Sequence, residues 1–197
     1  WAFYGHMLHL YRYTVPHEGF RKLLELSNTK KYGAHIFTSN VDGQFQKAGF
    51  KEKNIMECHG SIHHLQCIDN CQGMLWSADD TFIEIEEGFN AKEPLPSCPY
   101  CGAMARPNIL MFGDWSWNSH RSHFQDENFQ SFIESVKHNN QSIVIIEIGA
   151  GEAVPTVRHL SEEVATILDG FLVRINPRDY NIPERLGVGL PYGGLEG

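Results

Sequence analysis

Four of the five cysteines stand in two close pairs, Cys67 with Cys71 and Cys98 with Cys101. No other feature restricts the fold as much. If the four sulfurs share one ion, residues 72–97 must form an excursion whose two ends meet. Cys98-Pro99-Tyr100-Cys101-Gly102 has the form of a zinc knuckle, a tight turn that aims backbone amides at thiolates. Four thiolates satisfy the tetrahedral preference of a closed structural zinc site. In a chain without secretory features such pairs indicate metal before disulfides. Four unrelated buried thiols, or a redox pair at Cys98 and Cys101, are the competing readings. Between the pairs the chain is acidic, with a short strand-like run from Thr81 to Ile85 and a loop holding Gly88, Asn90 and Pro94. The pattern predicts a small zinc-ribbon-like module over residues 59–104. It is inserted into a larger domain made of residues 1–58 and 105–197.

The larger domain alternates strand and helix. Residues 1–13 are rich in aromatics spaced for a helix packed on one side, and Pro16 stands where a second helix would start, with Glu18 in its first turn. Ala34 to Thr38 is a short apolar run that predicts a buried parallel strand. Gln44 to Ala48 follows as a short helix closed by Gly49. Arg106 to Phe112 is expected to return to the main sheet and to end in Gly113-Asp114. Asn128 to His138 carries Phe129, Phe132, Ile133 and Val136 at helical spacing. Ser142 to Ile148 is the most apolar segment and predicts a buried strand, followed by a helix from Pro155. Phe171 to Asn176 is expected to be the last strand, stopped by Pro177, with a loop-like glycine-rich tail over residues 187–194. This order predicts an α/β fold with a mostly parallel sheet.

Length and charge set the remaining bounds. A chain of 197 residues suits one domain of ordinary size carrying a small insert. No apolar run approaches the length of a membrane span, and the formal charge of −8 gives no broad basic face for nucleic acid. Neither a membrane nor a nucleic-acid partner is expected. The chain begins at Trp1 with no signal-like segment, and a cytoplasmic location is expected.

Chemistry-bearing residues gather where strands end. Thr38, Asn40 and Asp42 follow the first strand, at the strand end where doubly wound sheets bind ligands. His59 comes next, flanked by Gly60, and an imidazole with an ordinary pKa near ~6.5 is a ready proton acceptor. An Asx-rich turn with one ordinary loop histidine is the bland alternative. His63 and His64 read as surface or packing residues, since two complete cysteine pairs need no further ligand. Trp115 and Trp117 either line a groove or fold over the core. Gly149-Ala150-Gly151 allows a phosphate or ribose to approach the backbone, and close strand–helix packing explains it equally well.

Taken in order, these pieces resemble the sirtuins. The resemblance is carried by Thr38-Ser39-Asn40-Val41-Asp42, then Glu57-Cys58-His59-Gly60-Ser61, the two cysteine pairs, and Arg106-Pro107-Asn108 running to Phe112-Gly113-Asp114. Gly149-Ala150-Gly151 and Ile175-Asn176 complete it. It implies a Rossmann-like domain with a small zinc module and an NAD-dependent protein-lysine deacylase that releases nicotinamide and O-acyl-ADP-ribose. An NAD hydrolase, an ADP-ribosyltransferase and a non-catalytic nucleotide-binding module are the alternatives. By the same resemblance His59 would be the general base. Thr38, Asn40, Asp42, Gly149, Gly151 and Asn176 would bind NAD. Leu110, Phe112, Gly113 and Asp114 would meet the acyl-lysine peptide, and Cys67, Cys71, Cys98 and Cys101 would hold Zn2+ for structure. Some positions depart from the family pattern: Ser39 stands for Gln, Ala150 and Gly151 for Thr-Ser, and Asp114 for Glu. The family's first strand and glycine-rich phosphate loop have no counterpart in these residues, and weak NAD binding would follow from that.

Overall fold

The aromatic-rich start folds as helix α1 (Ala2–Tyr13), and α2 (Glu18–Thr29) follows it. The computed structural model describes residues 1–195. Pro16 lies outside α2 rather than in its first turn. His17 is the cap instead, its Nδ1 accepting the Gly19 N–H at 3.1 Å, which satisfies one of the amides a helix start leaves unpaired. Strand β1 (Ile36–Thr38), helix α3 (Gln44–Lys47) and strand β2 (Ile55–Glu57) come next, and β1 pairs with β2 in parallel. Gly49 closes α3 with φ of +100°.

A second group of strands is antiparallel. β3 (Gly60–Cys67) lies between β4 (Leu75–Ser77) and β7 (Ala105–Ile109), while β5 (Ile85–Glu86) and β6 (Asn90–Ala91) form a separate ribbon. The chain then runs through α4 (His120–His138), β8 (Val144–Ile148), α5 (Thr156–Ile167), β9 (Phe171–Ile175) and β10 (Gly187–Leu190), with β8, β9 and β10 parallel and β9 central. The architecture is therefore α/β, with parallel strands and a small antiparallel module, as expected.

Three buried clusters hold these layers; the smallest, Ala165, Leu172 and Leu186, ties α5 to β9, and the other two are larger. Leu8 of α1, Ile62 and Leu65 of β3, Ala78, and Ala105 and Ile109 of β7 form one, so α1 covers the antiparallel sheet. Phe129 of α4, Met56 of β2 and Val164 of α5 centre the other, with Phe37 of β1 and Ile145 of β8 packed on them. This second core joins the two parallel pieces, although β1 and β8 do not pair.

Several expectations are corrected. Residues 106–112 do not return to the parallel sheet: only the part up to Ile109 is strand, and it runs antiparallel to β3, with Cys67 opposite Ala105 and Gly60 opposite Ile109. An apolar run shows that a segment is buried but not which neighbour it pairs with. The expected strand at 81–85 is shifted to Ile85–Glu86. Helix α4 begins at His120, eight residues before the apolar stripe, because its first turns are held by polar contacts described below. β8 is not buried on both faces: Val144, Ile146 and Ile148 are 62%, 38% and 40% exposed, while Glu147 between them is buried. The tail also contains a strand. A Cβ at Gly187 would sit 1.8 Å from the Leu172 carbonyl oxygen and one at Gly189 1.9 Å from that of Tyr180. Bare glycine backbone lets β10 close on β9 at Gly187 and on the loop after β9 at Gly189, a use of glycine that composition presents only as a loop.

Candidate functional site

The end of β1 and the turn after β2 are laced together. In the parallel register Thr38 stands opposite Glu57. Beyond it the Cys58 N–H donates to the Thr38 carbonyl at 3.0 Å, and the Ile62 N–H donates to the Val41 carbonyl at 3.0 Å. His59 sits between these two bonds, so the backbone itself brings it to the loop that carries Asn40 and Asp42. The Thr38 hydroxyl accepts the Asn40 N–H at 3.1 Å, and Asp42 Oδ1 accepts the Gln44 N–H at 2.9 Å, opening α3. The His59 imidazole and the Asn40 side-chain amide are left without hydrogen-bond partners among the described residues, and the His59 ring nitrogens are not buried. Both groups are available to a ligand.

Three supports hold this loop; the close backbone approach at Gly60 was expected, while the roles of His63 and Glu57 were not. His63 Nε2 meets the Asp42 carbonyl at 2.9 Å, and its ring fills the space where a Cβ on Gly43 would lie. His63 thus braces the loop rather than packing idly. Gly60 has φ of +80°, and a Cβ there would come within 2.0 Å of the Asn108 carbonyl oxygen, so only glycine lets the turn after His59 press on β7. Glu57, two residues before His59, is gripped by α4. Gln125 Oε1 accepts the Glu57 N–H at 3.0 Å, Ser122 Oγ donates to its carbonyl at 3.0 Å, and Arg121 donates to its buried carboxylate at 2.5 Å. Arg121 also pairs with Glu52 at 2.5 Å. These contacts explain why the polar first turns of α4 are helical. Long-range pairs of this kind have no periodic signature in a sequence.

A second loop pair lies past β8 and β9. The Gly149 N–H donates to the Ile175 carbonyl at 2.9 Å, and Gly149 adopts φ of +72° with open space where a Cβ would be. Asn176, expected to face a ligand, spends its amide internally: Nδ2 donates to the Ala150 carbonyl at 2.9 Å, and Oδ1 accepts the N–H groups of Arg178 and Asp179 at 2.9 Å each. Gly151 faces the Asp179 carboxylate, 3.6 Å from where its Cβ would be. Arg158, buried in α5, reaches carbonyls of both loops. Below them the buried Arg174 guanidinium pairs with Glu147 at 2.5 Å and Glu162 at 2.8 Å.

The segment after β7 is a rigid turn. Asp114 takes two bonds from the Arg106 guanidinium, a third from Ser116 Oγ at 3.2 Å and a weaker one from the Met111 N–H at 3.4 Å. The Arg106 pairing holds the Asp114 carboxyl below the usual carboxylate range. That carboxylate is therefore occupied in shaping the turn. Phe112 and Trp115 project from it, 95% and 99% exposed, while Trp117 folds back toward Gly60.

The cysteines converge as expected. The four sulfurs lie within 4.8 Å of one another. Cys67–Cys101 at 3.6 Å and Cys71–Cys98 at 3.7 Å match the ~3.8 Å edge of a tetrahedron with ~2.3 Å zinc–sulfur bonds. They are far from the ~2.05 Å of a disulfide. Burial pushes the Cys98 thiol up, but the backbone amides of Tyr100 and Cys101 outweigh it and hold it lowered to about 7. Hydrogen bonding to Cys101 pushes Cys71 up to about 12. Thus the knuckle does aim amides at sulfur, and the donor set fits structural zinc. β3 bulges between Ser61 and Leu65, so its ends Gly60 and Cys67 face Ile109 and Ala105 of β7, four residues apart, which puts about 13 Å between the metal end and the His59 end at ~3.3 Å per residue. Cys58 stands apart, its thiol pushed up to about 11 by burial.

Comparison with known proteins agrees with this geometry. Residues 1–154 match the Sir2 family. An NAD-dependent protein deacetylase of Clostridium tetani is 31% identical over 103 residues, covering 52% of this chain and 37% of that protein. A protein ADP-ribosyltransferase of Staphylococcus aureus is 23% identical over 193 residues, 94% of this chain and 60% of that protein. The chain thus spans between about a third and two thirds of the length of these relatives. A solved Sir2 homologue in complex with 2'-O-acetyl ADP ribose superposes with a TM-score of 0.67 at 20% identity, over 98% of this chain and 68% of that one. The ordered loops, the cysteine cluster and the match over residues 1–154 establish that this chain belongs to the Sir2 family.

Proposed function

We propose that the protein uses NAD to remove acyl groups from lysine side chains of a protein or peptide, releasing nicotinamide and O-acyl-ADP-ribose. One observation carries this reading: His59, an imidazole without a hydrogen-bond partner among the described residues, lies on a segment that backbone hydrogen bonds tie to the loop of Asn40 and Asp42, where the Asn40 amide is also unpartnered. Bound NAD supplies a ribose whose bond to a cationic leaving group breaks with little acid help. The protein's tasks are then positioning and one proton transfer. Asn40 and Asp42 hold the nicotinamide ribose and its carboxamide, with Thr38 fixing their loop. His59 accepts the proton of a ribose hydroxyl. The loops at Gly149, Gly151 and Asn176 take the adenosine end, Gly149 offering open space and the loop of Asn176 its backbone. Leu110, Phe112 and Gly113 line the acyl-lysine, and Asp114 acts there through the shape of the turn.

Residues 1–58 and 105–197 carry the dinucleotide-binding loops and residues 59–104 the metal and, at their first residue, the base His59, with β7 as the seam. Zn2+ on Cys67, Cys71, Cys98 and Cys101 serves structure only. No described helix is long and apolar enough to cross a membrane. Free cysteines in metal-binding pairs support a reducing, cytoplasmic location.

The names of the two relatives frame the test. Nicotinamide release from NAD is measured with and without an acetyl-lysine peptide. Release that requires the peptide and yields deacylated product supports the proposal. Equal release without peptide indicates a hydrolase, and ADP-ribose left on protein with no deacylation indicates a transferase. Either result overturns it.

A further inference from the structure

Among the described residues the buried cation in α5 has no buried counter-charge. Arg158 is 7% exposed. Its Nη1 donates to the Asp179 carbonyl at 2.6 Å and the Ala150 carbonyl at 3.3 Å, and its Nη2 to the Asn181 carbonyl at 3.4 Å. The nearest carboxylate, on the exposed Glu152, is 3.7 Å away. A guanidinium buried at the cost of desolvation is here spent on backbone oxygens of two separate loops. Its fork spans residues 149–151 on one side and 179–181 on the other, as one compact ammonium could not. Asn176 makes a parallel tie through the Ala150 carbonyl, and Arg174 anchors Asn181 from below at 2.7 Å.

We infer that Arg158 is a positioning residue that fixes the distance between these loops and so shapes the seat for a ribonucleoside at the adenosine end of NAD. The inference rests on the dinucleotide reading above. The chemistry of the seat favours ribose over phosphate. Asp179 presents a carboxylate beside Gly151, which accepts from sugar hydroxyls and repels an anion. Arg158 itself faces carbonyls and touches no ligand in this role.

The test compares wild type, Arg158→Lys and Arg158→Gln by calorimetry with ADP-ribose, adenosine, nicotinamide and inorganic phosphate, beside the NAD kinetics. The expected result is about tenfold or greater loss of ADP-ribose and adenosine affinity, the scale of one lost charge-assisted hydrogen bond. Nicotinamide affinity stays unchanged and KM for NAD rises while kcat holds, with a fall in melting temperature from the carbonyls left unpaired. Unchanged adenosine affinity in both variants overturns the inference. So does a parallel loss of nicotinamide binding and kcat, which marks a general structural role, or wild-type affinity for phosphate matching that for adenosine. Amide exchange on wild type gives a check that needs no variant: ADP-ribose must slow exchange at 149–151 and 178–181 together, and protection of one loop alone refutes the coupling. If wild type binds neither ADP-ribose nor adenosine, the dinucleotide reading itself fails. Loss confined to the variants concerns Arg158 alone.

Discussion

His59 and Asp114 show how two residues with the same standing in a sequence part company in the structure. Both were candidate site residues. His59 keeps its ring nitrogens free, while the Asp114 carboxylate is committed to Arg106, Ser116 and Met111. Replacing His59 with Ala should lower the proposed deacylation by about 10²–10⁴-fold, the usual contribution of a general base, with circular dichroism and melting temperature unchanged. Wild-type turnover in that variant would remove the base assignment. Asp114→Asn should instead act on stability, by about 3 kcal/mol, because it strands the Arg106 guanidinium. The pH dependence has a fixed sign. The Asp114 carboxyl is lowered in the fold, so its contribution is complete above its ordinary pKa near ~3.9 and is lost as pH falls through the lower folded value. The gap in stability between wild type and Asp114→Asn should be constant from neutral pH down to about 5 and close below about 4. A gap that stays open at the acid limit would contradict the pairing. The residue types at both positions were legible in the sequence. Their partners were not, because Arg106 and Ser116 are drawn in by the bend of the chain after β7.

At the level of elements, glycine and cysteine carry the clearest consequences. β3 joins two functions, with Gly60 beside His59 at one end and Cys67 in the metal cluster at the other. Cys98→Ser should lose bound zinc, measured by elemental analysis, and with it the pairing of β3 with β7. Full zinc content in that variant would refute a four-thiolate site. A structural zinc stabilises the fold outright, so a strong chelator should lower the melting temperature of wild type and leave the Cys98→Ser protein little changed. The spacing of the cysteines made this module readable in advance, since ligand geometry is local at each knuckle. The identities of its strands were not readable. A strand of two or three residues, such as β5 or β6, has too little sequence to show a period. β7 looked like part of the parallel sheet because an apolar run does not carry the direction of its partner.

For the whole molecule, stability should fall on mild acidification. His35 and His64 are both lowered to about 4, in each case chiefly by burial, with Arg121 adding to the effect at His64. Their unfolded forms take up protons near ~6.5 while the folded forms resist. Stability is therefore full above about 6.5, declines as pH falls toward 4, and flattens below. Chemical denaturation between pH 7 and 4 should show that slope, and His35→Gln together with His64→Gln should reduce it. An unchanged slope would show that both rings titrate normally in the fold. The sequence by itself determined the α/β class, the metal cluster and the order of the loops. Helical and strand periods, ligand spacing and turn residues are properties of short stretches of chain, and they survive being read one after another. Only the tertiary structure decided that β7 runs antiparallel to β3, that the glycine-rich tail is a strand, that α4 grips Glu57 and that Arg158 bridges two loops. Each of these depends on groups far apart in the chain meeting at hydrogen-bonding distance, and that distance is set by the packing of the cores.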